Sequence, residues 1–264
     1  MAKAPSIITL LTDFGYAGEY VGVMKGVILS INHQCQLVDL THQIYPQNVW
    51  QAAFVLHNSY RFFPQGTIHL VVVDPGVGTK RRPIIIKKDG YFFVGPDNGV
   101  FGLVLKKGKY AAVEITSPSF LKRPISSTFH GRDIFAPAAA YLSLGKEMGK
   151  FGPRATNLQQ LAWPPPIIKD QKIIGQIIFV DSFGNLITNI DRDFFVSQIA
   201  PRPFKIKIKK WSLSCLQETY AQVPKGKLLA LWGSAGYLEI AINQGHAQRT
   251  LKVGPGDPII ISLS

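Results

Sequence analysis

Hydrophobic and polar positions in the first part of the chain follow two alternating periods. Ile7 to Leu11, Gln36 to Leu40 and Ile68 to Val73 are short, mainly apolar runs closed by polar residues, Gly or Pro, the pattern of buried strands. Between them, Glu19 to Ile31 places Val21, Met24, Val27, Ile28 and Ile31 at helical spacing, and Asn48 to Phe62 reads as a second helix. Strand alternating with helix predicts an α/β domain with a mainly parallel sheet and right-handed crossovers. Further on, Ile84 to Lys88 and Tyr91 to Val94 flank Asp89-Gly90, a hairpin signal. Lys109 to Ile115 adds a strand, and an alanine-rich helix ends near Leu144, with Asp133 or Thr128 as its expected cap.

From Gly152 to Asp170 neither period holds. Pro153, Trp163 and Pro164-Pro165-Pro166 resist both helix and central strand, so a linker is expected there. Beyond Asp170 the apolar runs are short and β-like: Lys172 to Val180, Leu186 to Ile190, Pro203 to Lys209, Leu228 to Trp232, Tyr237 to Ile242 and Pro258 to Ser262. Close spacing with Gly and Asn turns predicts a smaller, all-β, barrel-like domain. The expected division is therefore 1–155 for the α/β domain, 156–171 for the proline-rich linker and 172–264 for the β domain.

Composition narrows the class. With 264 residues, 46% hydrophobic and 17% charged, the chain can bury a sizeable core. Its longest apolar runs fall far short of the roughly 18 residues a membrane span needs, and no leader is expected ahead of Ile7. Cys35 and Cys215, without paired Cys/His spacing, indicate neither a disulfide framework nor a structural zinc, which fits a reducing cytoplasm. The net charge of +13 raises the question of nucleic acid. Its distribution argues against that partner: Lys205, Lys207 and Lys209 alternate with Ile206 and Ile208 as one solvated strand face, and no cluster interleaves cations with aromatics.

Polar residues where strands end carry the candidate chemistry, because ligands of open α/β sheets bind beyond the carboxyl ends of the strands. Asp13 and Asp74 are two such residues, expected to face one crevice, and each has an alternative role as a turn cap. One carboxylate suits a sugar diol and the other a nucleophile. His130, in a Ser/Thr/Gly-rich loop with little to pack against, is their expected partner. In the second domain, the 181–185 and 231–239 stretches read as ligand-facing loops or as ordinary hairpin turns. Absence of both G-x-x-x-x-G-K-[ST] and G-x-G-x-x-G after a strand disfavours ATP and NAD sites.

The strings LTDFG, VVVDPGVGTKRR, PDNG, STFHGRDIFAPAAA, DSFGNLITNI and WGSAGYLEIAIN, in that order along nearly the whole chain, resemble the S-adenosylmethionine hydroxide adenosyltransferases. These are relatives of the fluorinating and chlorinating enzymes that use the same substrate. The resemblance implies an N-terminal α/β domain, a C-terminal β-barrel and a homotrimer with the substrate at a subunit interface. It also implies the reaction: water attacks the ribose 5′ carbon of S-adenosylmethionine and displaces methionine, leaving adenosine. S-adenosylmethionine is then the substrate, and neither cofactor nor metal is called for, since the sulfonium leaves without protonation.

The matching positions for the water-holding set are Asp74, Arg81 and His130, with Arg81 preferred over the adjacent Arg82 by its spacing from Asp74. Asp74 would accept a hydrogen bond from the water, His130 would direct the water and accept its proton, and Arg81 would hold the carboxylate or stabilise developing hydroxide. For the substrate the resemblance implies Asp13 at the ribose hydroxyls, Trp50 against ribose or adenine, and Asn185 at the adenine edge. Asp181 and Ser234 would hold the methionine amine and carboxylate. Ala235 stands where the halogenating relatives have a carboxylate-pairing arginine, and Asn98 and Glu239 receive no role. Two other readings remain open: a halide-using enzyme of the same family, and a non-catalytic protein that binds an adenosyl ligand or RNA.

Overall fold

The computed structural model describes residues 6–161, 164–199 and 202–263. Contacts divide the chain into two units, Met1–Ala162 and Trp163–Ser264. The first comprises β1 (Ile7–Thr12), α1 (Tyr20–Ile31), β2 (Gln36–Thr41), α2 (Val49–Ser59), β3 (Ile68–Val72), β4 (Pro83–Lys88), β5 (Tyr91–Pro96), α3 (Gly102–Leu105), β6 (Ala111–Glu114) and α4 (Ala136–Ser143). The second comprises β7 (Ile167–Lys169), β8 (Lys172–Val180), β9 (Leu186–Asp191), α5 (Arg192–Ile199), β10 (Phe204–Ile208), β11 (Trp211–Leu213), β12 (Leu228–Trp232), β13 (Tyr237–Ile242), α6 (Ala247–Leu251) and β14 (Pro258–Leu263).

In the first unit the strand order is β2-β1-β3-β5-β4-β6. The pairs β1·β2, β1·β3 and β3·β5 are parallel, while β4 turns back antiparallel to β5 and β6. Asp89 and Gly90 both take positive φ in the tight turn between β4 and β5, as the hairpin signal predicts. Strands β1, β3 and β5 are buried on both faces, which is why they read as near-continuous apolar runs, whereas the edge strand β2 is exposed or half-buried along its length. Met24 and Ile28 on α1 and Ala136, Ala139 and Ala140 on α4 cover one face through Ile8, Leu10, Leu70 and Val72. Ala52 and Leu56 on α2 and Val104 on α3 cover the other through Leu11, Val71, Ile84 and Ile86. Asn48 starts α2 by accepting the Gln51 backbone N–H at 2.9 Å, which satisfies one of the donors a helix start leaves unpaired. Register places Thr12 opposite Val72, so the residues just past β1 and β3 emerge side by side at the carboxyl edge.

The second unit is antiparallel throughout its ladders, with order β11-β10-β14-β8-β9-β13-β12 and β7 added against β8. Its core is lined by Ile177, Ile190, Ile206, Ile240, Ile259 and Ile261. Lys205 and Lys207 are exposed while Ile206 and Ile208 are buried, the alternation expected of one solvated strand face.

Several expectations need adjustment. The three-residue β7 lies inside the segment read as a linker, where Ile167 and Ile168 pair with Ile174 and Ile173; Trp163 lies outside the described residues. Strand β11 and helices α3, α5 and α6 carry too few residues for a periodic signal. Asp133 and Thr128 do not cap the alanine-rich helix. A π-helical turn, Gly131–Phe135, precedes α4, and the Asp133 side chain points back to accept the Ser126 backbone N–H at 2.8 Å.

Candidate active site

Two turns fold the loop after β3 back on itself. Val77 N–H donates to the Asp74 carbonyl at 3.2 Å and Thr79 N–H to the Gly76 carbonyl at 3.1 Å, while the Thr79 hydroxyl accepts Arg81 N–H at 3.3 Å. Seven residues of sequence therefore close to side-chain contact: Arg81 Nε donates to Asp74 Oδ1 at 3.0 Å and to Oδ2 at 2.8 Å, and Nη2 also donates to Oδ2. Gly78 makes the fold-back possible. Its φ is +77°, and a Cβ there would fall on the Ser127 carbonyl oxygen, so the Asp74 loop rests directly on the loop that carries His130.

Arg81 Nη2 also lies 2.7 Å from His130 Nδ1. A guanidinium has donors and no acceptor, so the imidazole must offer the lone pair of Nδ1. Burial, and then the positive charge of Arg81, hold His130 below its ordinary 6.5, with Asp74 and Asp133 pulling the other way. A neutral imidazole whose Nδ1 accepts carries its proton on Nε2, and that nitrogen is a donor. The Asp74 and Arg81 side chains are only 5% and 8% exposed. Phe135 lies under the guanidinium at 5.1 Å, and Nη1 is buried without a hydrogen-bond partner among the described residues.

Arg82 faces other partners. Its Nη2 donates to Asp97 Oδ2 at 2.6 Å and to the Asn157 carbonyl at 3.0 Å, tying the strand edge to the end of the first unit. Asn98 donates from Nδ2 to the Val73 carbonyl at 2.8 Å, so the PDNG turn fixes the residue just before Asp74. That local purpose was not legible in the motif, because the two groups are brought together by β3·β5 pairing.

A cavity of about 290 Å³ is lined by Asp13, Gln47, Asp74, Val77, Thr128 and His130, with Phe14 and Phe129 as apolar walls. Asp13 and Asp74 thus share one crevice. Asp13 Oδ2 accepts Gln47 N–H at 2.7 Å. Its turn is braced by residues the sequence did not single out: Thr12 Oγ1 lies 2.8 Å from His42 Nδ1, and His42 Nε2 lies 3.1 Å from Asp39. His42 is separated from Thr12 by a helix and a strand, so no spacing could pair them. Trp50, on the first turn of α2, is half-buried and does not line this cavity.

In the second unit, Asp181 turns its carboxylate onto its own loop. Oδ1 accepts Phe183 N–H at 2.9 Å and Asn185 N–H at 2.8 Å, and Oδ2 accepts Asn185 Nδ2 at 3.0 Å. With the amide nitrogen held by the carboxylate, Asn185 Oδ1 is the atom left to accept. A cavity of about 410 Å³ is lined by Asn185, Phe183, Tyr220, Ile242, Gln244 and Gly245. Ser234 is exposed in the β12–β13 turn, and neither it nor Asp181 lines this cavity. Tyr220 is a lining residue that sequence reasoning did not find; it lies in an irregular stretch between strands, without a periodic or motif signal.

Residues 8–152 match the N-terminal domain of the SAM hydroxide adenosyltransferases, and residues 175–260 match the C-terminal domain of the same family. The (R)-S-adenosyl-L-methionine hydrolase of Salinispora tropica is 34% identical over 99% of both chains. A fluorinase of Nocardia brasiliensis is 26% identical over 90% of both. A crystal structure of an uncharacterized conserved protein from Thermotoga maritima superposes with a TM-score of 0.89 at 39% identity, covering 97% of this chain and 99% of that one.

Proposed function

The chain belongs to the SAM hydroxide adenosyltransferase family, and from that premise we propose that it hydrolyses S-adenosyl-L-methionine to adenosine and L-methionine. The observation that carries this reading is the Asp74–Arg81–His130 set at the edge of a cavity that also holds Asp13. A water oxygen attacks the ribose 5′ carbon in line with the carbon–sulfur bond; that bond breaks with its electron pair going to sulfur, which becomes the neutral thioether of methionine. The oxygen keeps one of its two protons as the 5′ hydroxyl of adenosine. The sulfonium needs neither a metal nor an acid to depart, so the protein's task is to orient and desolvate the nucleophile.

In this reading the roles differ in one respect from the resemblance. His130 Nε2–H donates to the water oxygen and aims it, while the Asp74 carboxylate accepts a water proton. Arg81 locks both partners in place and fixes the histidine tautomer, so His130 does not act as the base. Asp13 faces the ribose hydroxyls. Asn185 Oδ1 accepts from the exocyclic amino group of adenine, a donor that other purine edges lack in that position. Trp50 against the ribose or adenine, and Asp181 and Ser234 at the methionine end, remain part of the proposal. A homotrimer with the site at a subunit interface and a cytoplasmic location belong to it as well; light scattering of the purified chain tests the first.

Incubation with S-adenosylmethionine in heavy-oxygen water, with and without chloride, followed by mass spectrometry of the nucleosides, tests the reaction. Adenosine carrying the label, unaffected by chloride, is expected. Unlabelled adenosine, a 5′-halo-nucleoside or unchanged substrate would each refute it.

A further inference from the structure

Glu239 on β13 pairs across the sheet with Leu231 and Ile187, among apolar neighbours, and is 6% exposed. An ionisable side chain in such a place is costly unless it is paired. Its Oε1 accepts the Tyr220 hydroxyl at 2.6 Å. Its Oε2 lies 2.6 Å from the point a Cβ at Gly233 would occupy, so glycine at that position is what lets the carboxylate sit there.

Tyr220 begins a short helical turn that is held by a reciprocal Thr219 and Gln222 cap, which fixes its backbone. The residue is 41% exposed, and an exposed tyrosine on a surface turn samples several rotamers. The hydrogen bond to Glu239 selects the rotamer in which the ring lines the 410 Å³ cavity beside Asn185. Burial, and then the carboxylates of Glu239 and Asp181, push the phenol well above its ordinary value, so the hydroxyl keeps its proton and remains the donor.

We infer that Glu239 is a positioning residue for the adenosyl substrate: it acts through Tyr220, holding that ring as one wall of the Asn185 cavity. This rests on the reading of that cavity as the adenine subsite. Adenine is bound alike in the ground and transition states, so loosening its wall weakens both equally and raises KM while leaving kcat in place. A defect of folding does the opposite, lowering kcat through the active fraction with KM unchanged.

The experiment is steady-state adenosine release from S-adenosylmethionine by the full chain carrying Glu239→Ala, Glu239→Gln, Tyr220→Phe, or Glu239→Ala with Tyr220→Phe. Glu239→Ala and Tyr220→Phe should each raise KM about tenfold with kcat within about twofold, an effect of the size one charged hydrogen bond supplies. Glu239→Gln, whose amide oxygen still accepts from the phenol, should stay within about threefold, and the double variant should be no worse than either single one. An unchanged KM in Tyr220→Phe, or a double variant whose losses multiply, overturns the inference. Should Glu239→Ala not fold, Tyr220→Phe against Glu239→Gln supplies the same contrast. If the wild type releases no adenosine, the reaction reading fails separately. Equilibrium titration of the same variants with adenosine then decides the role of Glu239, with about tenfold weaker binding in Tyr220→Phe supporting it and equal binding refuting it.

Discussion

Replacing Arg81 by alanine removes the side chain that joins Asp74 to His130. The Asp74 carboxylate, 5% exposed, then loses every hydrogen bond from the guanidinium, and no other cation pairs with it among the described residues. Breaking a buried ion pair from one side costs about 3–5 kcal/mol, since the remaining charge stays desolvated. For a unit of this size that corresponds to a fall in the melting transition on the order of 10 °C, measurable by scanning calorimetry. Activity should fall further than stability accounts for, by roughly two to three orders of magnitude in kcat/KM, because in the proposed mechanism the attacking water loses its fixed partners. Adding Asp74→Asn should restore most of the melting temperature and none of the activity, because the unpaired charge is removed while the proposed water-holding set is not rebuilt. A double variant as unstable as Arg81→Ala, or an Arg81→Ala enzyme within threefold of wild type, would refute the reasoning.

Because His130 donates through Nε2, His130→Gln, which can still place an N–H donor near that position, should keep at least tenfold more activity than His130→Ala; equal losses in the adenosine assay would return the base to His130. Gly78→Ala should lower kcat/KM by at least tenfold, because the new methyl group would push the Asp74 loop away from Ser127; unchanged kinetics would show that the loop tolerates the shift. His69, buried against Phe93 with Nδ1 2.8 Å from the Thr9 hydroxyl, has its pKa lowered from 6.5 to about 4 by burial. The unfolded chain therefore binds this proton more readily than the folded one, and stability should fall as pH drops from about 6.5 to about 4, by about 3 kcal/mol in total. Urea unfolding across that range should show the loss in the wild type and lack that part of it in His69→Asn; identical pH dependence in both would assign the loss elsewhere.

Much of the architecture was legible because its signals are local. Short apolar runs closed by turn residues marked the strands of the parallel sheet, a 3.6-residue period marked the helix α1 that covers it, and Asp89-Gly90 marked the hairpin, since backbone sterics act within a few residues. Short elements escaped: β7 hides among prolines and is held by pairing with β8, and β11 is three residues long. The π-helical turn before α4 also escaped; there Asp133 accepts the Ser126 N–H through its side chain and the Lys122 N–H through its carbonyl, contacts that no helical period encodes.

For the site, the sequence by itself determined which side chains stand where strands end, and motif order was enough to place Asp13, Asp74, Arg81, His130 and Asn185 as candidates. The tertiary structure decided what those groups can do. Arg81 rather than Arg82 meets Asp74 because two consecutive turns reverse the chain by a set amount, and the β3·β5 pairing gives Arg82 to Asp97 instead. Whether His130 donates or accepts depends on an arginine 49 residues away meeting Nδ1. Asp181 satisfies its own loop, and Glu239 reaches Tyr220, 19 positions earlier in the chain, across intervening strand and turn. Hydrogen bonds form between atoms a few ångströms apart in space, and only the folded chain brings groups so distant in sequence within that range.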